Sequence, residues 1–466
     1  MHVDTGLPRV RGSTLPYPAN GLANGTLACC MLGYALSLLD RQILSLMVDL
    51  VRADLRLSDV QLGLLQGLAF ALFYSVLTIP CGLLADRVRR THLIAAGIAF
   101  WSAATVACGF ATGFWSLFVA RMCVGVGEAV LVPAAYSLIS DSFRRDRLVT
   151  AIAILGFSGL AGAGIAILVG GLVVDLISHA DTLPFGLTGT ATWRVVFGVV
   201  GIPGFLVAAL FLLLPEPSRK DLLTDEGGNV AKVSLREKLR FLWGRRRIYL
   251  PLYASPAILG TIVYGGISWF PAFLVRNFKL SYTDVGLYAG LIQISGALLG
   301  AALGPAIANA MIRRGHTDGH LRGLLIVAAL TAVPAIAAPL IPSLVPMLLV
   351  WTAAQIMLGS YLGVSMAALQ LRTPNQIRAL NSAFCMCLST IIGAGIGAPA
   401  VGAIAQYGFH DDLALGYALS ILNLICAPVA ILLIWSGLRA HREDTLRFDS
   451  PGAAEAESAT TRPATA

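Results

Sequence analysis

About a dozen long apolar runs constrain what this 466-residue chain can become. Each is about twenty residues or longer, and at about 1.5 Å per residue a helix of that length crosses the apolar layer of a bilayer. Lipid offers no partner for backbone N–H and C=O groups, so each run must close its hydrogen bonds internally as a helix. Composition agrees: the chain is 57% hydrophobic and 12% charged, with a mean hydropathy of +0.77. A soluble domain carries about twice that charge. The expected fold class is all-α integral membrane, with twelve transmembrane helices in two six-helix bundles. Spans are expected near 27–50, 60–85, 92 to a tight turn at Gly113, 114–140, 148–177, 194–214, 248–275, 284–312, 324–341, 345–371, 376–405 and 413–438.

The longest polar segment falls between the sixth and seventh runs. This predicts a tail at 1–26 that is disordered and cytoplasmic, a first bundle at 27–214, a cytoplasmic linker at 215–247, a second bundle at 248–438 and a tail at 439–466. Within the linker, Ser234-Leu-Arg-Glu237 reads as a capping box. Leu235, Leu239, Leu242 and Trp243 then share a face, so an amphipathic helix lying on the cytoplasmic surface is expected. Residues 1–23 are broken by prolines and glycines and show no secretory signal.

The net charge of +8 is distributed asymmetrically. Assigning loops alternately to two sides leaves Arg52, Arg56, Arg194, Arg276 and Lys279 on one side. Arg41 and Arg121 lie within runs, and the other Lys and Arg lie on the side of the termini. That bias places both termini in the cytoplasm of a cell inner (plasma) membrane protein. The basic charge is an orientation signal with anionic headgroups as its partner, and no nucleic acid is implied. The eight cysteines fit no zinc or disulfide framework and read as packing residues. No metal or cofactor is expected, and the protein is expected to be a monomer.

Of the 25 acids, only Asp40 and Glu128 lie deep in apolar runs. Arg41 and Arg121 lie there too. Charge in lipid is costly, so these four are functional candidates. Arg121 and Glu128 are two turns apart, with Gly125 and Gly127 leaving the face between them open. Arginines that change position relative to the two carboxyl groups would change proton affinity between states. Proton coupling is therefore assigned to Asp40, Glu128, Arg41 and Arg121. One alternative is that Arg121 holds an anionic headgroup; another is a static buried network that fixes helix register. The second half carries no deep charge in this reading. Its cavity candidates are Tyr264, Trp269, Gln293, Gln355, Tyr361 and Asn381.

The loop Gly82-x-Leu84-Ala85-Asp86-Arg87-x-x-Arg90 resembles the cytoplasmic motif of the major facilitator superfamily, with Arg89 where a glycine is usual. Asp40-Arg41, Gly63-Leu64-Leu65-Gln66, Arg121-x-x-x-Gly125-x-Gly127-Glu128-Ala129 and Gly265-x-x-x-Trp269-x-Pro271-x-Phe273-Leu274 resemble its spinster-like branch. The resemblance implies a rocker-switch secondary transporter, proton-coupled, with lysolipids or sphingoid-type lipids as cargo. It also implies a cytoplasmic gate at Gly82, Asp86, Arg87 and Arg90. In that gate Asp86 faces the start of the eleventh helix, where Thr373-Pro374 reads as N-cap and first position, and Arg87 and Arg90 pair acids such as Asp141. Gly170-Gly171 lacks the Gly-Pro pair that precedes it in antiporters of the superfamily; Ala166 and Ile167 stand there. A symporter of small organic anions is the alternative within transport. A lipid-modifying enzyme would need paired histidines or a Ser/His/Asp set near one membrane face, and the sequence shows neither. A channel is the third class; two lobes with charge at the centre argue against an open pore.

Overall fold

The computed structural model describes residues 9–10, 17–85, 87–180, 189–219, 223–224, 235–373 and 375–448. Twelve helical segments in it are long and apolar enough to cross a membrane. In order they are Asn20–Leu46, Asp59–Ala85, Arg90–Cys108, Phe114–Ser142, Thr150–Ser178, Thr192–Leu213, Arg246–Phe278, Tyr282–Arg313, Gly319–Leu340, Leu344–Leu371, Leu380–Phe409 and Leu415–Arg439. They are called the first to twelfth spans below. Two strands of two residues each, Arg9–Val10 and Leu223–Thr224, pair antiparallel. The expected all-α membrane fold is present, with a span for each apolar run.

Several boundaries differ from expectation. The first helix begins at Asn20, so residues 20–26 are helical and not a disordered tail. It stops at Met47, and a separate helix, Val48–Leu55, carries the chain to Arg56 in the left-handed region (φ 51°). The seventh helix runs on to Phe278, which places Arg276 in its last turn and not in a loop. The twelfth helix continues to Phe448. A helix at Leu235–Gly244 falls where the amphipathic linker helix is expected; Ser234 of the expected capping box lies outside the described residues.

The second span starts with a complete capping box, Ser58 with Gln61, and breaks at Gly67 (φ −101°, ψ −82°). A Cβ on Gly63 would come within 2.5 Å of the carbonyl of Ala398, and one on Gly67 would overlap that of Ala394. The two glycines therefore let the second and eleventh spans touch backbone to backbone. Glycines of the fifth span do the same against the eighth: Gly164 meets Gly290, and Gly171 meets Tyr282 and Gly286. The eleventh span ends in a π-helix, Ile404–Phe409.

The chain divides into two compact units that cut across the six-plus-six boundary. The first holds Met1–Leu239, Tyr264–Ile294 and Ala394–Leu415. Within it the third span packs on the sixth, the first on the fifth, and the fourth on the second and third. The additions from the second half are those parts of the seventh, eighth and eleventh spans that lie away from the termini. The second unit holds Arg240–Val263, Ser295–Gly393 and Gly416–Ala466, and in it the ninth span packs on the tenth.

Candidate functional site

The first and fourth spans bring the four deep charges together. Ser37 and Arg41 stand one turn apart on the first span and so share a face. Both reach the same carboxylate oxygen, Oε2 of Glu128, at 2.6 Å each. Glu128 is buried, and the Arg41 side chain is 25% exposed. Ring faces hold the guanidinium of Arg41, with Phe70 at 4.6 Å and Tyr74 at 4.4 Å from ring centroid to guanidinium carbon. Those rings are in place because the second and fourth spans approach closely at Gly125, whose Cβ would meet the carbonyl of Phe70. Gly127 likewise packs on Trp101 and Gly97 of the third span. The small residues between Arg121 and Glu128 thus serve helix contact and leave no open face.

Arg121 is buried and donates from Nη1 to the backbone carbonyl of Asp40 at 2.9 Å. The Asp40 carboxyl group is also buried, and its Oδ1 has no hydrogen-bond partner. Oε1 of Glu128, Nη2 of Arg41 and Nε of Arg121 are unpartnered as well. A buried carboxylate is normally held by cations and donors on both oxygens. Here one acid has an arginine and a hydroxyl on one oxygen, and the other has neither on Oδ1. Sequence reading found the four charges. It missed Ser37, although its four-residue spacing from Arg41 was available, and it missed the rings of Phe70 and Tyr74.

A second charged cluster lies at the far ends of the first two spans. Arg276 bonds Asp49 at 2.7–2.8 Å and both carboxylate oxygens of Asp59 at 3.3 Å. Arg52 stands 3.7 Å from Asp59. Asp59 and Arg276 are buried. Trp269 lies beneath, its ring centroid 5.8 Å from the Arg276 guanidinium. Gly402 packs on the Asp59 backbone, and Gln406 accepts from the amide of Val60 at 3.3 Å. The second half therefore contributes a buried charge at the end of a span, Arg276, which the sequence reading places in a loop.

Around Arg90 a third cluster forms at the opposite end of the spans. Arg90 is buried and bonds Glu216 at 2.7 Å, the hydroxyl and carbonyl of Ser137 at 3.0 and 2.9 Å, and the carbonyl of Pro217 at 3.1 Å. It also pairs with Asp141, as expected. Burial lifts the Glu216 carboxyl, but the amide of Thr91 and the guanidinium of Arg90 outweigh it and hold the group below its ordinary value. Arg87 is exposed, Gly82 faces Pro133, and Asp86 lies outside the described residues. The hydroxyl of Thr373 donates to the carbonyl of Leu369 at 2.7 Å and accepts from Asn381; Pro374, the expected first position of the eleventh helix, lies outside the described residues.

Of the cavity candidates, Trp269 is fully buried and its indole N–H donates to the carbonyl of Ala398 at 2.7 Å. That leaves it no polar group to offer a cargo. Tyr264 and Gln293 are half-buried in the first unit. In the second unit Gln355 is half-buried, Tyr361 is buried, and Asn381 is bound to Tyr253 and Thr373. Among the described residues no group of three His, Cys, Asp or Glu could hold a metal ion, and the eight cysteines are free thiols.

A family model of the Major Facilitator Superfamily matches residues 30–316, more than half of the chain. The chain belongs to the Major Facilitator Superfamily. Members of this superfamily are transporters, not enzymes, and this chain is a multi-pass membrane transporter of that kind. An MFS-type efflux pump of Mycolicibacterium smegmatis is 25% identical over 88% of this chain and 91% of its own length. A probable galactarate/D-glucarate transporter of Bacillus subtilis is 27% identical over 55% of this chain and 58% of its own. Protein spinster homolog 1 of Rattus norvegicus is 30% identical over 55% of this chain and 47% of its own. The chain thus spans about half the length of the last two. A crystal structure of a bacterial homolog of the human lysosomal transporter spinster, inward-facing and unoccupied, shares the fold. Its TM-score is 0.75 at 24% identity, over 92% of this chain and 98% of that one.

Proposed function

We propose that this transporter is proton-coupled and moves an amphiphilic, lipid-like organic cargo by alternating access, as a member of the spinster-like branch. The observation that carries the reading is the arrangement at Glu128 and Asp40. Glu128 is held by Arg41 and Ser37 on one oxygen, while Oδ1 of buried Asp40 has no hydrogen-bond partner. Charge inside a membrane bundle marks ion or substrate pathways. When Arg41 leaves Glu128, that acid must take up a proton or stay uncompensated in the apolar interior. Proton exchange and helix movement then share one equilibrium.

Likeness to spinster proteins supports the branch, and the cargo class is what the resemblance in the sequence motifs implies. The charge asymmetry supports a plasma-membrane protein with both termini cytoplasmic; two six-helix bundles around the linker are the proposed arrangement. The hub at Arg90 supports the gate reading of Gly82, Asp86, Arg87 and Arg90. Tyr264, Gln293, Gln355 and Tyr361 are the proposed cavity residues, and the monomer is the proposed working form.

A small organic anion as cargo is the second reading, favoured by likeness to the galactarate/D-glucarate transporter. Purified protein in proteoliposomes, given an imposed pH gradient, tests both. Gradient-driven flux of lysophospholipid or sphingoid probes supports the first reading. Flux of sugar acids alone supports the second. Flux that ignores the gradient overturns proton coupling.

A further inference from the structure

We propose that the helix Leu235–Gly244, with the arginines that follow it, is a membrane-surface anchor that binds anionic phospholipid headgroups. The helix is followed by Arg245 and then by the seventh span, which begins at Arg246. It therefore sits within about one turn of the boundary of the apolar layer. Leu242 is turned inward and buried, whereas Leu239 is 51% and Trp243 73% exposed. These two are one turn apart and share a face. Leu250, one turn into the seventh span, is exposed too.

Charge is arranged to match a phosphate surface. Arg236, Arg240, Arg246 and Arg247 are exposed, and no acid occurs between residues 238 and 247. Arg245 lies 4.8 Å from the ring centroid of Phe241, and Arg246 lies 5.8 Å from that of Trp243. An aromatic ring with a guanidinium beside it is apolar at one end and cationic at the other. That combination suits the level where acyl chains meet headgroups. A helix in bulk water would expose Trp243 and Leu239 at a cost, whereas one in the interface buries them beneath phosphates that the arginines neutralise. The proposal stands independently of the cargo and of proton coupling.

The test uses the full chain in nanodiscs of phosphatidylcholine with and without phosphatidylglycerol, with lipids brominated on the acyl chain as quenchers. The Trp243 signal is the difference between the wild type and Trp243→Phe. Quenching of that signal is expected to be strong with phosphatidylglycerol, weaker without it, and lost at high salt. Arg240→Gln combined with Arg246→Gln and Arg247→Gln should lose the increment due to the anionic lipid. The salt titration needs no variant, so a misfolded triple variant does not spoil the test. An unquenched Trp243 in anionic discs overturns the anchor. Equal quenching in both lipid compositions overturns headgroup recognition.

Discussion

Arg276 and Asp59 are both buried and lie 3.3 Å apart, joining the last turn of the seventh span to the first turn of the second. Removing the cation strands a carboxylate inside the protein. Breaking a buried ion pair in this way costs about 3–5 kcal/mol. Arg52, 3.7 Å from Asp59, offsets part of it. Arg276→Gln is therefore expected to lower stability by about 3 kcal/mol, read as a lower thermal midpoint in detergent. An unchanged midpoint would refute a buried clasp at this place.

The Arg41–Glu128 pair predicts strong non-additivity. Arg41→Gln leaves Glu128 without its cation and should cost several kcal/mol, whereas Arg41→Gln with Glu128→Gln should recover much of the loss. Thermal denaturation of the two single variants and the double variant measures the coupling. In proteoliposomes Glu128→Gln and Asp40→Asn are each expected to abolish pH-driven flux while the protein stays folded. An undiminished gradient response in both variants counts against the coupling role.

What the sequence showed was set by local pattern. Apolar length announced the spans, and charge inside those runs announced Asp40, Arg41, Arg121 and Glu128. Partners distant along the chain left no such trace. Arg276 read as a loop residue because its neutralising acids, Asp49 and Asp59, lie more than two hundred positions earlier. Gly125 and Gly127 read as an open face because nothing local shows that Phe70 and Trp101 pack on them. The stop at Met47 is invisible for a related reason: the run stays apolar through it.

The hub at Arg90 gives a pH dependence with a definite sign. Glu216 lies below its ordinary value in the folded protein, so its ionisation contributes stability above the ordinary glutamate range. That contribution fades as pH falls through and below the range. Glu216→Gln is expected to melt earlier than the wild type at neutral pH, and the gap should begin to narrow as pH enters the ordinary glutamate range and close only below it. Melting curves at several pH values check it, and a gap that widens in acid has the wrong sign.

Backbone contact between the second and eleventh spans leaves no room at two positions. Gly63→Ala puts a methyl within 2.5 Å of the carbonyl of Ala398, and Gly67→Ala overlaps that of Ala394. Each is expected to cost about 1–3 kcal/mol as overpacking. Gly82→Ala, whose Cβ would lie 3.6 Å from Pro133, should be tolerated. Comparing the thermal midpoints of the three variants separates tight contact from mere loss of glycine.

The break at Gly67 divides the second span into two pieces with different duties. The short piece, Asp59–Gln66, is fastened at its start to Arg276. The long piece, Leu68–Ala85, carries the rings that flank Arg41. A continuous helix would transmit any tilt at one end rigidly to the other. With the helix interrupted at Gly67, a tilt at the Asp59 end is expected to be absorbed at that joint before it reaches the rings around Arg41.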